Sequence, residues 1–217
     1  MQDARPMGTP LAAHFKLSAS LSPQNKSEEQ FMARISYSSA VGSVMYAMVC
    51  TRPDIAQAVS VVSRYMSNPV KAHWQAIKWL FRYLKGTINI GLVFDRKGGA
   101  TSSIIDYVDS DYAGDLDNRK SLLAYMFTLS GCTISWKSTL QSTIILSTTE
   151  AEYMTITEAI KEAIWLRGLV SDFGLHQEGT VIFCDSQRVI HLTKNQIYHE
   201  RTKYIDVRYH FVRAVTT

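Results

Sequence analysis

YVDSDYAGD, residues 107–115, sets three aspartates and two tyrosines around one glycine in nine positions. Two readings compete for it. In the first, the aspartates stand on a tight hairpin and hold metal, and another metal-binding aspartate must then come from an upstream strand. In the second, Tyr107, Val108 and Asp109 finish a β-strand, while Asp111 and Asp115 serve the turn that follows. The neighbouring sequence decides between them.

Just before the stretch, SIIDYV (103–108) has the β-branched, apolar character of a strand. After it, AYMFTLSG (124–131) alternates Tyr125, Phe127 and Leu129 with smaller residues, and TISWK (133–137) completes a three-stranded meander. The period then becomes helical. A long helix is predicted from near Thr149, with Tyr153, Ile156, Ile160 and Ala163 on its buried face and Gly174 as its stop. VIFC (181–184) reads as a fourth strand, which the right-handed crossover rule sets beside and parallel to the first. SQRVIHLTK (186–194) and YIDVRYHFVR (204–213) follow as two more helices.

Nothing upstream supplies a strand. Residues 1–36, rich in Ser, Pro, Gln and Lys, read as an extended arm that only a partner surface would order. From 37 to 97 the pattern is helical. In TRPDIAQAVSVVSRYMSNP (51–69), Pro53 suits a first turn, Asp54 complements the helix dipole, and Ile55, Val59, Val62 and Met66 share a face. KAHWQAIKWLFRYLKG (71–86) turns Trp74, Ile77, Leu80 and Leu84 inward and lines Lys71, Lys78, Arg82 and Lys85 on another stripe, either a phosphate contact or a solvated face. A loop at Lys97-Gly98-Gly99 leads into the α/β part, 100–217. The hairpin reading therefore fails, and residues 107–109 close the first strand of a sheet.

In an open sheet, ligands gather beyond the carboxyl ends of parallel strands. Asp109 ends the first strand, Asp185 caps VIFC, and Glu152 lies at the start of the crossover helix, so the three are predicted to converge. Crowded carboxylates repel unless a hard cation holds them; Mg²⁺ takes one or two carboxylates with water and phosphate oxygens. Two such ions about 4 Å apart suit phosphodiester hydrolysis. Each residue also has a plainer role open to it. Thr149 to Glu152 fits a capping box, and Asp185 fits a helix N-cap.

The blocks YVDSDYAGD, SWKSTLQSTIILSTTEAEY (135–153), FCDSQ (183–187) and YHERTKYIDVRYHFVR (198–213) together resemble the ribonuclease H domain at the end of copia-type LTR retrotransposon polyproteins. Upstream, YSSAVGSVMYAMVCTRPDIAQAV (37–59) and HWQAIKWLFRYLKGT (73–87) resemble the helical thumb or connection segment that precedes it. The resemblance runs from Tyr37 to Arg213. It implies a ribonuclease H-like mixed sheet with flanking helices, and not the YVDD-like hairpin of a polymerase palm. It also implies Asp109, Glu152 and Asp185 as catalytic residues and metal ligands, with two Mg²⁺ ions, or Mn²⁺ in their place. Gln187 is expected to touch the minor groove of an RNA·DNA hybrid, and Lys137, His199, Arg201 and Lys203 to be further substrate contacts. The implied partners are that hybrid and the reverse transcriptase palm and fingers of the parent polyprotein. The expected reaction is cleavage of the RNA strand.

Two departures stand out. Relatives continue past the RYHFVR helix into a strand and a short helix with a fourth aspartate, whereas AVTT (214–217) closes this sequence, so a C-terminally truncated domain is expected. Asp206 matches the preceding helix and reads as structural. Relatives also show Ser-Thr-Ser-Gly-Tyr where this chain has SLLAY (121–125), so Ala124 would disturb a strand entry that needed φ > 0. The rival to an active nuclease is a weak or inert remnant that at most binds nucleic acid.

Composition agrees with a globular intracellular chain, cytoplasmic or nuclear: 217 residues, 46% hydrophobic, 19% charged, net charge +4. Cys50, Cys132 and Cys184 form no CxxC pair, which argues against a zinc knuckle or disulfide scaffold and for buried thiols in a reducing compartment. MQDARPMGTPLAAHFKL lacks the apolar core of a signal peptide. No apolar run approaches the roughly 20 residues that span a bilayer.

Overall fold

Among the described residues, helical spacing in the first part of the chain produces four α-helices: α1 (Lys26–Ala33), α2 (Tyr37–Thr51), α3 (Ala56–Ser63), which follows a 3₁₀ turn at Pro53–Ile55, and α4 (Lys71–Gly86). The computed structural model describes residues 4–21, 23, 25–94, 103–175, 177, 179–194 and 211–212. The loop at Lys97-Gly98-Gly99, together with His199, Arg201, Lys203 and Asp206, lies outside the described residues. Two compact units result, Met1–Leu92 with Leu116–Asn118, and Val93–Asp115 with Arg119–Thr217.

In the first unit the segment expected to be an extended arm carries α1. Asn25 caps that helix by accepting the Glu28 amide at 2.9 Å, and Glu28 and Glu29 sit in its first turn, where the dipole favours them. The chain before it lies along α4 instead of awaiting a partner. Arg82 Nε donates to the Arg5 carbonyl at 2.7 Å, Lys85 Nζ to Ala4 O at 3.1 Å, and Trp79 Nε1 to Thr9 O at 2.9 Å. Half of the supposed phosphate stripe is thus engaged with backbone carbonyls. Asp117 accepts hydrogen bonds from Ser18 Oγ at 2.6 Å and Tyr65 OH at 3.2 Å, which accounts for residues 116–118 counting with this unit.

Tyr37, Val41, Val62, Ala76 and Ile77 form one buried cluster, and Val44, Ile55, Val59, Leu80 and Tyr83 another. On α4, Ile77 and Leu80 are buried as the pattern predicts, but His73, Ala76 and Tyr83 fill the remaining inward positions. Trp74 and Leu84 reach the core only in part. Met66 lies beyond the end of α3 and is exposed, because the helical phase that would have buried it stops at Ser63.

The second unit is the α/β part. Its sheet has the order β3-β2-β1-β4, with β1 (Ile104–Asp111), β2 (Leu122–Leu129), β3 (Cys132–Leu140) and β4 (Thr180–Phe183). β1, β2 and β3 form the antiparallel meander, and β4 runs parallel to β1 after the crossover helix α5 (Thr148–Asp172). Helix α6 (Gln187–Lys194) follows β4. This is the mixed sheet with flanking helices of a ribonuclease H-like α/β fold. Ile104, Val108, Tyr125 and Phe127 from the sheet pack with Tyr153, Ile156, Ile160 and Ala163 from α5, the face that helical spacing picked out. Gly174, at φ +76, ends α5 where a side chain would be strained.

Ala124 lies in regular strand opposite Asp109, and positive φ among non-glycine residues falls on Ala113, Arg119 and Ser130. The alanine thus replaces no conformationally demanding glycine. The thiols depart from expectation as well: Cys50 is exposed, and Cys132 and Cys184 are only partly buried. Among the described residues, no helix is long and apolar enough to cross a membrane.

Candidate active site

The parallel pairing of β1 with β4 determines where the carboxylates fall. Its last register pair is Tyr107 with Phe183, and Asp109 and Asp185 each lie two residues further on, at the same sheet edge. α5 begins above that edge. Its N-terminus is closed by Ser147, whose Oγ accepts the Glu150 amide at 3.2 Å, while Glu150 Oε2 reaches back to accept the Leu146 amide at 3.2 Å. The capping pair is therefore Ser147 with Glu150, and Glu152 has no part in it. Asp185 is relieved of its plainer role too, since α6 starts at Gln187 and Ser186 occupies the position before it.

Glu152, Cys184 and Asp185 bring one donor atom each within 4.8 Å of one another. Glu152 Oε2 is shut off from solvent and has no hydrogen-bond partner. Burial, then the charges of Asp185 and Asp109, push the Glu152 carboxyl up to about 7. Asp109 itself is exposed, with its Oδ1 accepting the Ser110 amide at 2.8 Å. The edge thus gathers three carboxylates in one electrostatic field, one of them carrying an oxygen that nothing satisfies.

Cys184 is the member that sequence reasoning passed over. Its Sγ accepts the Ser186 amide at 3.4 Å. Burial pushes its thiol up, the Ser186 amide offsets part of that, and the neighbouring carboxylates add to it. The available signal was adjacency: FCDSQ puts the cysteine next to an aspartate at a strand end.

The remaining aspartates divide by environment. Asp111 folds over Gly114, where a Cβ would collide with its carboxylate. Asp115 is buried in the turn, its amide donating to Lys120 O at 3.1 Å. Asp106, on β1 between the core residues Ile104 and Val108, is 0% exposed, and neither oxygen makes a hydrogen bond of regular geometry. Burial pushes its carboxyl up to about 7, with the backbone of Met126 and Tyr107 offsetting part of the effect and Glu162 adding to it. Gln187 is exposed at the first position of α6, and Lys137 is exposed on the outer strand β3.

Comparison with known proteins gives this geometry a context. No family model matches the chain, and no solved structure does. It is 56% identical over 215 residues to the Retrovirus-related Pol polyprotein from transposon TNT 1-94 of Nicotiana tabacum, an alignment covering 99% of this chain and 16% of that polyprotein. To the Retrovirus-related Pol polyprotein from transposon RE2 of Arabidopsis thaliana it is 36% identical over 214 residues, 98% of this chain and 14% of the polyprotein. Secreted RxLR effector protein 161 of Plasmopara viticola is 49% identical over 135 residues, 62% of this chain and 94% of that protein. The chain therefore spans about one-sixth or less of the Pol polyproteins it matches.

Proposed function

Because this chain belongs to the retrovirus-related Pol polyproteins of copia-type transposons, we propose that its α/β unit is a metal-dependent ribonuclease H. Its substrate is the RNA strand of an RNA·DNA hybrid formed during reverse transcription, and its partners are the palm and fingers of the parent polyprotein's polymerase. The observation that carries this reading is that Asp109 and Asp185 fall at the carboxyl edge of the parallel strands and both charges act on Glu152, whose Oε2 is buried and without a hydrogen-bond partner. Asp109 stands outside the group of Glu152, Cys184 and Asp185 whose donor atoms lie within 4.8 Å of one another.

That donor set fits a hard divalent cation. An unpaired, desolvated carboxylate oxygen among like charges is costly, and a cation removes the cost. Asp109, Glu152 and Asp185 would hold Mg²⁺ or Mn²⁺, which supplies an activated water and neutralises charge on the leaving oxygen. The chain's own residues do the rest. Ser110 holds the Asp109 carboxylate through its amide, at 2.8 Å. Gln187 and Lys137, both exposed, are available to the hybrid, Gln187 to the minor groove and Lys137 to phosphate. Discrimination rests on the 2′-hydroxyls and shape of the hybrid, with little preference for base sequence.

The test is cleavage of an end-labelled RNA·DNA hybrid in Mg²⁺ and in Mn²⁺. The natural chain is expected to cut the RNA strand, leaving 5′-phosphate and 3′-hydroxyl ends, and Asp109→Asn to lose roughly 100-fold or more of that rate. A folded natural chain that cuts in neither metal would overturn the reading and leave a remnant that at most binds nucleic acid.

A further inference from the structure

Cys184 stands inside the carboxylate cluster with no task in the proposed hydrolysis. We propose that Cys184 Sγ, Glu152 and Asp185 form a mixed thiolate and carboxylate site for a borderline or soft divalent cation, Zn²⁺ by its chemistry, which competes with the hard ion for the same carboxylates. The inference concerns the site of the nuclease reading but stands on its geometry alone.

Three observations support it. First, the three donor atoms already lie within 4.8 Å of one another, and this is the only such group of three among the described residues. Zinc ligands, at about 2.3 Å for sulfur and about 2.0–2.2 Å for oxygen, sit about 3.5 Å apart in a tetrahedron, so small rotamer adjustments close the site. Second, consecutive side chains in a strand point to opposite faces, yet Cys184 and Asp185 converge, because β4 ends at Phe183 and the chain bends at Asp185. The Ser186 amide, 3.4 Å from Sγ, holds the sulfur in place.

Third, and independently of the thiol, Glu152 carries a carboxylate oxygen, Oε2, that is shut off from solvent and has no hydrogen-bond partner. A cation bound to that carboxylate offsets the cost of leaving it unpaired. The thiol makes the site selective, since thiolate prefers zinc-like ions, whereas Mg²⁺ takes oxygen alone. As the S–Zn bond forms, the Cys184 proton leaves to solvent; water or a phosphate oxygen completes the fourth position. Where the nuclease reading holds, Zn²⁺ bound here silences the site.

The experiment uses Cd²⁺ as the spectroscopic probe on the full chain with Cys50→Ser and Cys132→Ser, so that Cys184 is the only thiol. Ultraviolet titration is expected to show a cadmium–thiolate charge-transfer band saturating at one ion per chain. Cys184→Ser should abolish it, and Glu152→Gln or Asp185→Asn should each weaken binding by about tenfold or more. Circular dichroism confirms that each variant is folded, and Zn²⁺ is expected to displace Cd²⁺ competitively. No band, or a band indifferent to both carboxylate substitutions, overturns the proposal. Because no activity is read, a chain that forms the band but cuts no hybrid would refute the nuclease reading while this one stands; cleavage without the band does the reverse.

Discussion

Asp106 and Asp109 lie three residues apart on one strand and meet opposite conditions. Asp109 is exposed and held by an amide, while Asp106 is enclosed, with a carboxyl pushed from 3.8 to about 7. Strand alternation explains the burial, since Asp106 shares the inward phase of Ile104 and Val108. Between these two pH values the folded chain keeps a proton that the unfolded chain has released, so stability falls as pH rises. The contribution is fully present below about 3.8 and lost above about 7, with a slope of at most about 1.4 kcal/mol per pH unit. Urea midpoints measured from pH about 5 to about 8 should decline in the natural chain and decline less in Asp106→Asn. Glu152, raised in the same direction, maintains part of the slope. An unchanged slope in the variant would show that Asp106 is not the buried acid.

At the scale of elements, α5 shows how a local motif can admit two assignments. The stretch STTEAE (147–152) offers Ser147 with Glu150 and Thr149 with Glu152 as capping pairs, both acceptable as sequence. The helix takes the first, beginning at Thr148 with Ser147 as its cap. Ser147→Ala is therefore expected to lower unfolding stability by about 1 kcal/mol in urea denaturation, and Thr149→Ala to leave it nearly unchanged. The reverse result would return Glu152 to a capping role and weaken the case for a metal ligand. The other end of α5 was legible outright, because Gly174 adopts a left-handed conformation that glycine alone enters without strain.

The whole molecule holds separate apolar cores. Val41, Val62 and Ile77 centre one in the first unit, with a neighbouring cluster around Ile55 and Leu80; Phe127, Tyr153 and Ile160 centre the core of the second. Tryptophans report on both, Trp74 and Trp79 in the first unit and Trp136 and Trp165 in the second. Phe127 is 0% exposed, and Phe127→Ala is expected to cost the second unit about 3–5 kcal/mol. Thermal unfolding followed by circular dichroism and tryptophan fluorescence should then show one transition moved sharply down and another near its original position. A single transition shifting as a whole would show that the two units unfold together.

Apart from α1, and from β1 running on to Asp111 instead of closing at Asp109, sequence by itself determined the described elements, their order and the sheet edge at which Asp109 and Asp185 fall. Those follow from periods of 2 and 3.6 and from chain connectivity, which act over neighbouring residues. Tertiary structure alone decided that Cys184 joins the carboxylates, that Asp106 is enclosed, and that the N-terminal segment lies along α4. Each of these depends on burial and on distances between residues remote in sequence or brought together by a bend. A local pattern carries neither, because desolvation and Coulomb energy are summed over everything that surrounds a group in space.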